Sequence, residues 1–169
     1  MYMWIGAGHM LRLARESRDG QLYTCMSALI YSAFMLEAYL NHLGRLRHEN
    51  WERIERRYSK RRKYMLFAEA ARLSPTMEER PYSSLVRLFD FRDSMAHGRT
   101  VTEQVEVEVA HGESIASALP GAEWQQFITL ENAESHFADA VALIEQLHAA
   151  LGYTDAPFST GGGGIYAWS

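Results

Sequence analysis

The sequence predicts an all-α fold: a helical bundle of about five helices with a small β-hairpin insertion before the last helix. Apolar residues recur at helical spacing through most of the chain. The longest apolar run, residues 22–46, leaves so little polar surface that its helix belongs at the centre of the bundle. After Gly98 the period changes to two, with three valines alternating with glutamates between positions 105 and 109. The first two observations predict the bundle, and the third predicts the hairpin.

The helices are predicted in order along the chain. Residues 5–18 form an amphipathic first helix, which Gly20 ends. Residues 22–46 form the central helix, and residues 59–73 form a third, which a Ser-Pro pair ends. The main stripe of the central helix has six members: Leu22, Leu29, Ala33, Leu36, Leu40 and Leu43.

Residues 81–98 form the next helix. Pro81 suits its first position, and Gly98 suits a left-handed residue just past its end. Residues 101–130 are the predicted insertion, with a second strand at 124–130, and residues 131–151 form the final helix, which Gly152 ends. We therefore expect a single domain over residues 1–152 and a glycine-rich C-terminal tail over 153–169.

Composition is that of one soluble globular domain, since 47% of the 169 residues are hydrophobic and 22% are charged. Cys25 is the single cysteine, which excludes an intrachain disulfide and favours a reducing compartment. The apolar N-terminus lacks the basic residues of a signal peptide, and the central helix contains too many polar residues to span a membrane. We expect a cytoplasmic protein with no membrane partner. No nucleotide-binding loop, hydrolase elbow or paired metal-ligand spacing occurs, so neither a metal nor a cofactor is expected.

Charge is divided unevenly along the chain. Residues 1–99 contain all 17 Lys and Arg. Residues 100–169 contain ten acidic residues and no Lys or Arg. Nine basic residues and two aromatic ones lie between positions 45 and 63. Such a block suits a phosphate backbone with stacked bases, and it equally suits a solvated helix face with internal pairs such as Glu52–Arg56. The sequence leaves these two interpretations open.

One charged residue lies on an apolar stripe. Arg92 interrupts the stripe of the helix at 81–98, where it needs a carboxylate, a partner chain or an anionic ligand. Glu37 of the central helix is its predicted partner, and Asn41 lies on the same edge as Glu37. Asp93 and His97 are four apart and are expected to touch. A structural ion pair, a histidine that favours the helix dipole and a satisfied core asparagine explain the same residues without any function.

Residues 92–97, Arg-Asp-Ser-Met-Ala-His, resemble the R-x(4–6)-H signature of the HEPN superfamily, in which a polar residue commonly follows the arginine. The polar pair Glu37 and Asn41 on an earlier helix also resembles that of HEPN proteins. The resemblance covers the helices from residue 22 to Gly98 and the last helix. The strand-like insertion is outside the minimal pattern, which leaves the subfamily open.

The resemblance implies a homodimer in which two such motifs meet, and a metal-independent endoribonuclease, such as a toxin or a phage-defence effector with an antitoxin or other regulatory partner. His97 would be the general acid or base at the ribose 2′-hydroxyl, Arg92 would bind the scissile phosphate and Asp93 would orient the histidine. Glu37 and Asn41 would support them. The candidate RNA-binding residues are Arg57, Lys60, Arg61 and Arg99. The alternative that the resemblance allows is a non-catalytic HEPN dimerisation or nucleotide-binding module.

Overall fold

The computed structural model describes residues 2–98 and 122–158, and these residues form seven helices without a strand. The predicted all-α class is confirmed. The alternating valines, Arg99 and the tail from residue 159 lie outside the described residues. The helices are α1 (Tyr2–Glu16), α2 (Gln21–Arg47), α3 (Trp51–Arg57), α4 (Lys60–Ala70), α5 (Tyr82–Ala96), α6 (Glu123–Phe127) and α7 (Leu130–Ala150).

Helix α2 lies at the centre and contacts five other helices, α1, α3, α4, α5 and α7. The predicted stripe of α2 is buried except for Leu22, which is 39% exposed because it lies in the first turn, at the end of the bundle. The largest fully buried aliphatic residues come from three helices: Leu29, Leu36, Leu40 and Leu43 of α2, Leu85 and Leu88 of α5, and Leu143, Ile144 and Leu147 of α7. Burial of these side chains is the main source of the bundle's stability.

Helices α3 and α4 lie beside the C-terminal half of α2. Trp51, the first residue of α3, is 2% exposed and packs directly against Gly44 of α2. A Cβ atom at Gly44 would lie 2.0 Å from Cε2 of the Trp51 ring, so only glycine permits this approach. The sequence analysis identified neither α3 nor this contact.

Two local predictions are wrong. Residues 124–130 form no strand: α6 ends at Phe127, and Thr129 caps α7 by accepting a hydrogen bond from the Asn132 N–H at 3.0 Å. A capping hydroxyl immediately before a long apolar periodicity favours helix initiation over strand extension. The helix α5 ends at Ala96, and Gly98 is not left-handed because His97 already leaves the helix with φ −113° and ψ 13°.

Other predicted boundaries are confirmed. Gly20 and Gly152 have positive φ values of 69° and 84°, and each lies at a helix boundary. Residues 153–158, the start of the predicted tail, pack back on the bundle, where Phe158 stacks on Trp4 with the ring centroids 5.3 Å apart.

No helix within residues 2–98 and 122–158 has the length and apolar character needed to cross a lipid bilayer.

Candidate functional site

Arg92 lies near the C-terminal end of α5, where it contacts α2. Its Nη2 atom is 3.4 Å from Oε2 of Glu37, and its Nη1 donates a hydrogen bond of 2.8 Å to Oδ1 of Asp93. The guanidinium carbon is also 5.2 Å from the centroid of the Phe34 ring. The predicted Arg92–Glu37 pair is therefore present, and a quarter of each side chain remains exposed, at 25% and 24%. The side chain of Arg92 is held in place and is still partly exposed.

Asp93 is bound by two cations. Nζ of Lys60 donates to both carboxylate oxygens, at 2.8 and 3.0 Å, in addition to the bond from Arg92. Burial alone would raise the pKa of the Asp93 carboxyl, but the hydrogen bonds from Lys60 and Arg92 outweigh it and hold the pKa below its ordinary value. Asp93 is therefore a carboxylate at neutral pH, and it accepts hydrogen bonds from Lys60 and Arg92.

His97 is the residue just past α5, and its side chain is exposed. Its backbone N–H donates to the Asp93 carbonyl at 3.0 Å. The predicted contact between the Asp93 and His97 side chains is not among the hydrogen bonds of the described residues, because His97 has left the helical conformation and Asp93 turns toward Lys60. The imidazole faces solvent, where a substrate or a second chain can reach it.

Asn41 lies one turn after Glu37 on α2, and its side-chain oxygen accepts a hydrogen bond of 2.9 Å from Nζ of Lys63. Lys63 is only 3% exposed, and its ammonium lies 5.9 Å from the centroid of the Trp51 ring. Burial lowers the pKa of Lys63, while the neighbouring carboxylates of Glu37 and Glu55 oppose the shift. Lys63 was not predicted as part of the site, because it ends a run of basic residues along the chain.

The result is a polar cluster of six side chains between α2, α4 and α5, consisting of Glu37, Asn41, Lys60, Lys63, Arg92 and Asp93. It holds three cations and two carboxylates, and the neighbouring carboxylate of Glu55 balances the third cation. Lys60, predicted as an RNA ligand, is occupied by Asp93. Arg57 and Arg61, two other predicted RNA ligands, are exposed on α3 and α4. Arg99 lies outside the described residues.

A second polar network lies between α5 and α7. The Ser84 hydroxyl donates to Oδ2 of Asp139 and lies 2.8 Å from Nδ1 of His136, and Nε of Arg80 donates to Asp139 at 2.7 Å. Burial lowers the pKa of His136. The carboxylate binds the serine rather than the histidine, and Ser84 is fully buried, so these residues do not form a nucleophilic triad. We interpret the network as structural.

A third group surrounds His148 of α7. Its Nε2 lies 2.8 Å from the Asp155 carbonyl and must donate to it, which leaves Nδ1 to accept from the Tyr39 hydroxyl at 2.9 Å. These three residues line a cavity of about 210 Å³, together with Leu43, Leu46 and other residues. Both ring nitrogens of His148 already have hydrogen-bond partners. We therefore interpret the group as structural: it attaches residues 153–158 to the bundle.

No group of three or more potential metal ligands occurs within the part of the chain that the structure describes. Comparison of the chain with protein-family models, with curated proteins and with solved structures finds no match. The case for a function therefore depends on the residues themselves, and above all on the polar cluster and His97.

Proposed function

We propose that this protein is a HEPN-type metal-independent endoribonuclease that uses Arg92 to bind the scissile phosphate and His97 as its general acid or base. The observation that carries the proposal is the state of Arg92: it is fixed by Glu37 and Asp93, yet a quarter of its side chain is exposed. A fixed guanidinium can stabilise the charge that develops on a phosphate without reorganising during the reaction.

The reaction would need nothing beyond the RNA, the protein and solvent water. The imidazole of His97 would take the proton of the ribose 2′-hydroxyl, whose oxygen attacks phosphorus. The bond from phosphorus to the 5′-oxygen then breaks, and that oxygen takes a proton from water, which leaves a 2′,3′-cyclic phosphate and a 5′-hydroxyl. Histidine suits this role because its unperturbed pKa lies near neutral pH.

A second copy of the chain would complete the site. On a regular helix Arg92 and His97, five residues apart, would lie about 140° apart, and His97 lies just past the end of α5, so in this proposal the His97 of a second copy acts on the phosphate that Arg92 binds. His97 faces solvent and makes no side-chain bond to the described residues, as expected of a group that acts across a two-fold axis. We therefore propose a homodimer with a composite site, in the cytoplasm, acting as a toxin or defence effector under the control of an antitoxin or other regulatory partner.

One observation favours the alternative, a non-catalytic dimerisation or nucleotide-binding module. Two carboxylates, from Glu37 and Asp93, already neutralise Arg92 within one chain, as in a structural ion pair. In that case Arg92 supports the fold or binds a nucleotide phosphate, and His97 has no chemistry.

Cleavage of a mixed RNA pool in the presence of EDTA separates the two functions. We expect the wild-type protein to produce fragments with 2′,3′-cyclic phosphate ends and a folded His97→Ala protein to produce none. Ser94→Ala is a matched control, since Ser94 is an exposed residue of the same helix end whose hydroxyl donates to the Phe91 carbonyl. Equal fragments from wild type and His97→Ala would contradict the role of His97, and no cleavage by folded dimeric wild type would favour the module.

A further inference from the structure

An open groove of about 460 Å³ runs along α4. It is lined by residues 58, 59, 61, 62, 65, 66 and 69. Among these residues, the guanidinium of Arg62 lies over the Tyr58 ring, with Cζ 4.6 Å from the ring centroid. This pair forms a flat, layered, cationic surface.

The arginines of the groove have no carboxylate partner among residues 2–98 and 122–158. Within the described residues, neither Arg61 nor Arg62 forms an ion pair, although both are exposed. The internal pair Glu52–Arg56, which would have favoured a merely solvated face, is not formed among those residues either. Glu69 lines the groove two turns along α4, so its carboxylate disfavours phosphate at that end. The positive charge is therefore available to an anion near Arg61 and Arg62.

We propose that this groove binds single-stranded RNA, with one unpaired base stacked on the Tyr58–Arg62 layer and the adjoining phosphates on Arg61 and Arg62. A flat ring under a guanidinium is a stacking platform that any base fits, and unpaired cations beside it suit the backbone. A base inside a duplex is stacked on its neighbours and cannot add to this layer.

The groove adjoins the polar cluster through consecutive residues of α4. Lys60 turns inward to Asp93, whereas Arg61 and Arg62 turn outward to the groove. The inference extends the proposed function, because it specifies the form of RNA that the site takes. A strand bound in the groove would be held beside the helix that carries Arg92.

The test is fluorescence anisotropy with a labelled single-stranded RNA of about twelve nucleotides, which covers the usual site size. Methylation of its 2′-hydroxyls prevents cleavage, so binding is measured whether or not the protein is a ribonuclease. We expect Tyr58→Ala to weaken binding about tenfold, the loss typical of one stacked base, and Tyr58→Phe to retain it. A duplex of the same length should bind more weakly than the single strand.

The phosphate contacts are tested by the salt dependence of binding. The double variant Arg61→Gln/Arg62→Gln should lower the slope of log affinity against log salt by about 1.4, or about 0.7 for each lost contact to a single strand. Arg18→Gln/Arg87→Gln removes the same charge from two exposed positions, one in the loop after α1 and one on α5, and should leave the slope nearly unchanged.

Two results would overturn the inference. The first is unchanged RNA affinity in Tyr58→Ala, which would leave a cationic surface that suits any polyanion. The second is an equal slope of log affinity against log salt in the two double variants. Cleavage of unmodified RNA is measured separately. Binding that depends on Tyr58 without any cleavage would refute the proposed ribonuclease and retain the groove. Cleavage that Tyr58→Ala does not affect, with unchanged affinity, would refute the groove alone.

Discussion

Arg92 and Glu37 form an ion pair between the end of α5 and the middle of α2, with Nη2 and Oε2 3.4 Å apart. The pair joins two of the three helices that bear the polar cluster, and a quarter of the Arg92 side chain remains exposed. Solvent screens an exposed ion pair and makes it weak, whereas a buried pair loses much of its attraction to the cost of desolvation. Each side chain here is about three-quarters buried, so this pair is intermediate between the two.

We expect Arg92 and Glu37 to stabilise each other by about 1 kcal/mol, near the upper limit for exposed pairs, because burial reduces solvent screening. A double-mutant cycle with Arg92→Met and Glu37→Gln, measured by urea unfolding, gives this coupling energy. The Arg12–Glu16 pair of α1 is the control. Its side chains are 54% and 55% exposed, so a cycle there should give no more than about 0.5 kcal/mol. Equal couplings in the two cycles would show that burial adds nothing at Arg92.

The contact between Gly44 and Trp51 predicts a large effect from a small substitution. Gly44→Ala places a methyl group 2.0 Å from a buried indole carbon, so α3 must move away from α2. We expect a loss of about 1–3 kcal/mol in the free energy of unfolding. Gly8→Ala on α1, where nothing lies within 4 Å, should instead stabilise the protein by up to about 1 kcal/mol. Urea unfolding followed by circular dichroism measures both, and a neutral Gly44→Ala would mean that the two helices separate without cost.

Burial of His136 predicts a pH dependence of stability. Its pKa is lowered in the folded state, chiefly by burial, so the unfolded chain binds the proton more readily. The free energy of unfolding should therefore be highest above the unfolded pKa of about 6.5 and should fall as the pH drops below it.

His136→Asn should flatten this dependence between pH 7 and pH 5, while its amide can still donate to Ser84. His9→Gln, at an exposed position of α1, should leave the pH profile unchanged. Urea midpoints measured across the same pH range provide the comparison. A wild-type profile that stays flat below pH 6.5 would contradict the assignment.

The parts of the site that the sequence predicted are those that helical periodicity determines. Arg92 on an apolar stripe and Glu37 on the central helix need each other, because each would otherwise lose hydration without compensation. Helix spacing and desolvation together were sufficient to predict this pair, and the structure contains it.

The parts that were not predicted depend on packing between helices. Lys63 belongs to a run of exposed basic residues, and nothing in its neighbours along the chain shows that it points to Asn41. Spacing of four residues places Asp93 near His97, but the competing bond from Lys60 comes from another helix. The strand predicted at 124–130 failed for a local reason, because the capping hydroxyl of Thr129 starts a helix there.

The proposed composite site leads to the most specific prediction. If each site takes Arg92 from one chain and His97 from the other, then mixing the inactive Arg92→Ala and His97→Ala proteins restores cleavage. A mixed dimer has one site that lacks both residues and one that has both intact. Random exchange makes half of the dimers mixed, so we expect about one quarter of the wild-type rate. Mixing must follow unfolding and refolding together, and each variant refolded alone is the control. Mixtures as inactive as their components would show that Arg92 and His97 act within one chain or not in the reaction at all, and the dimer would then have no catalytic role.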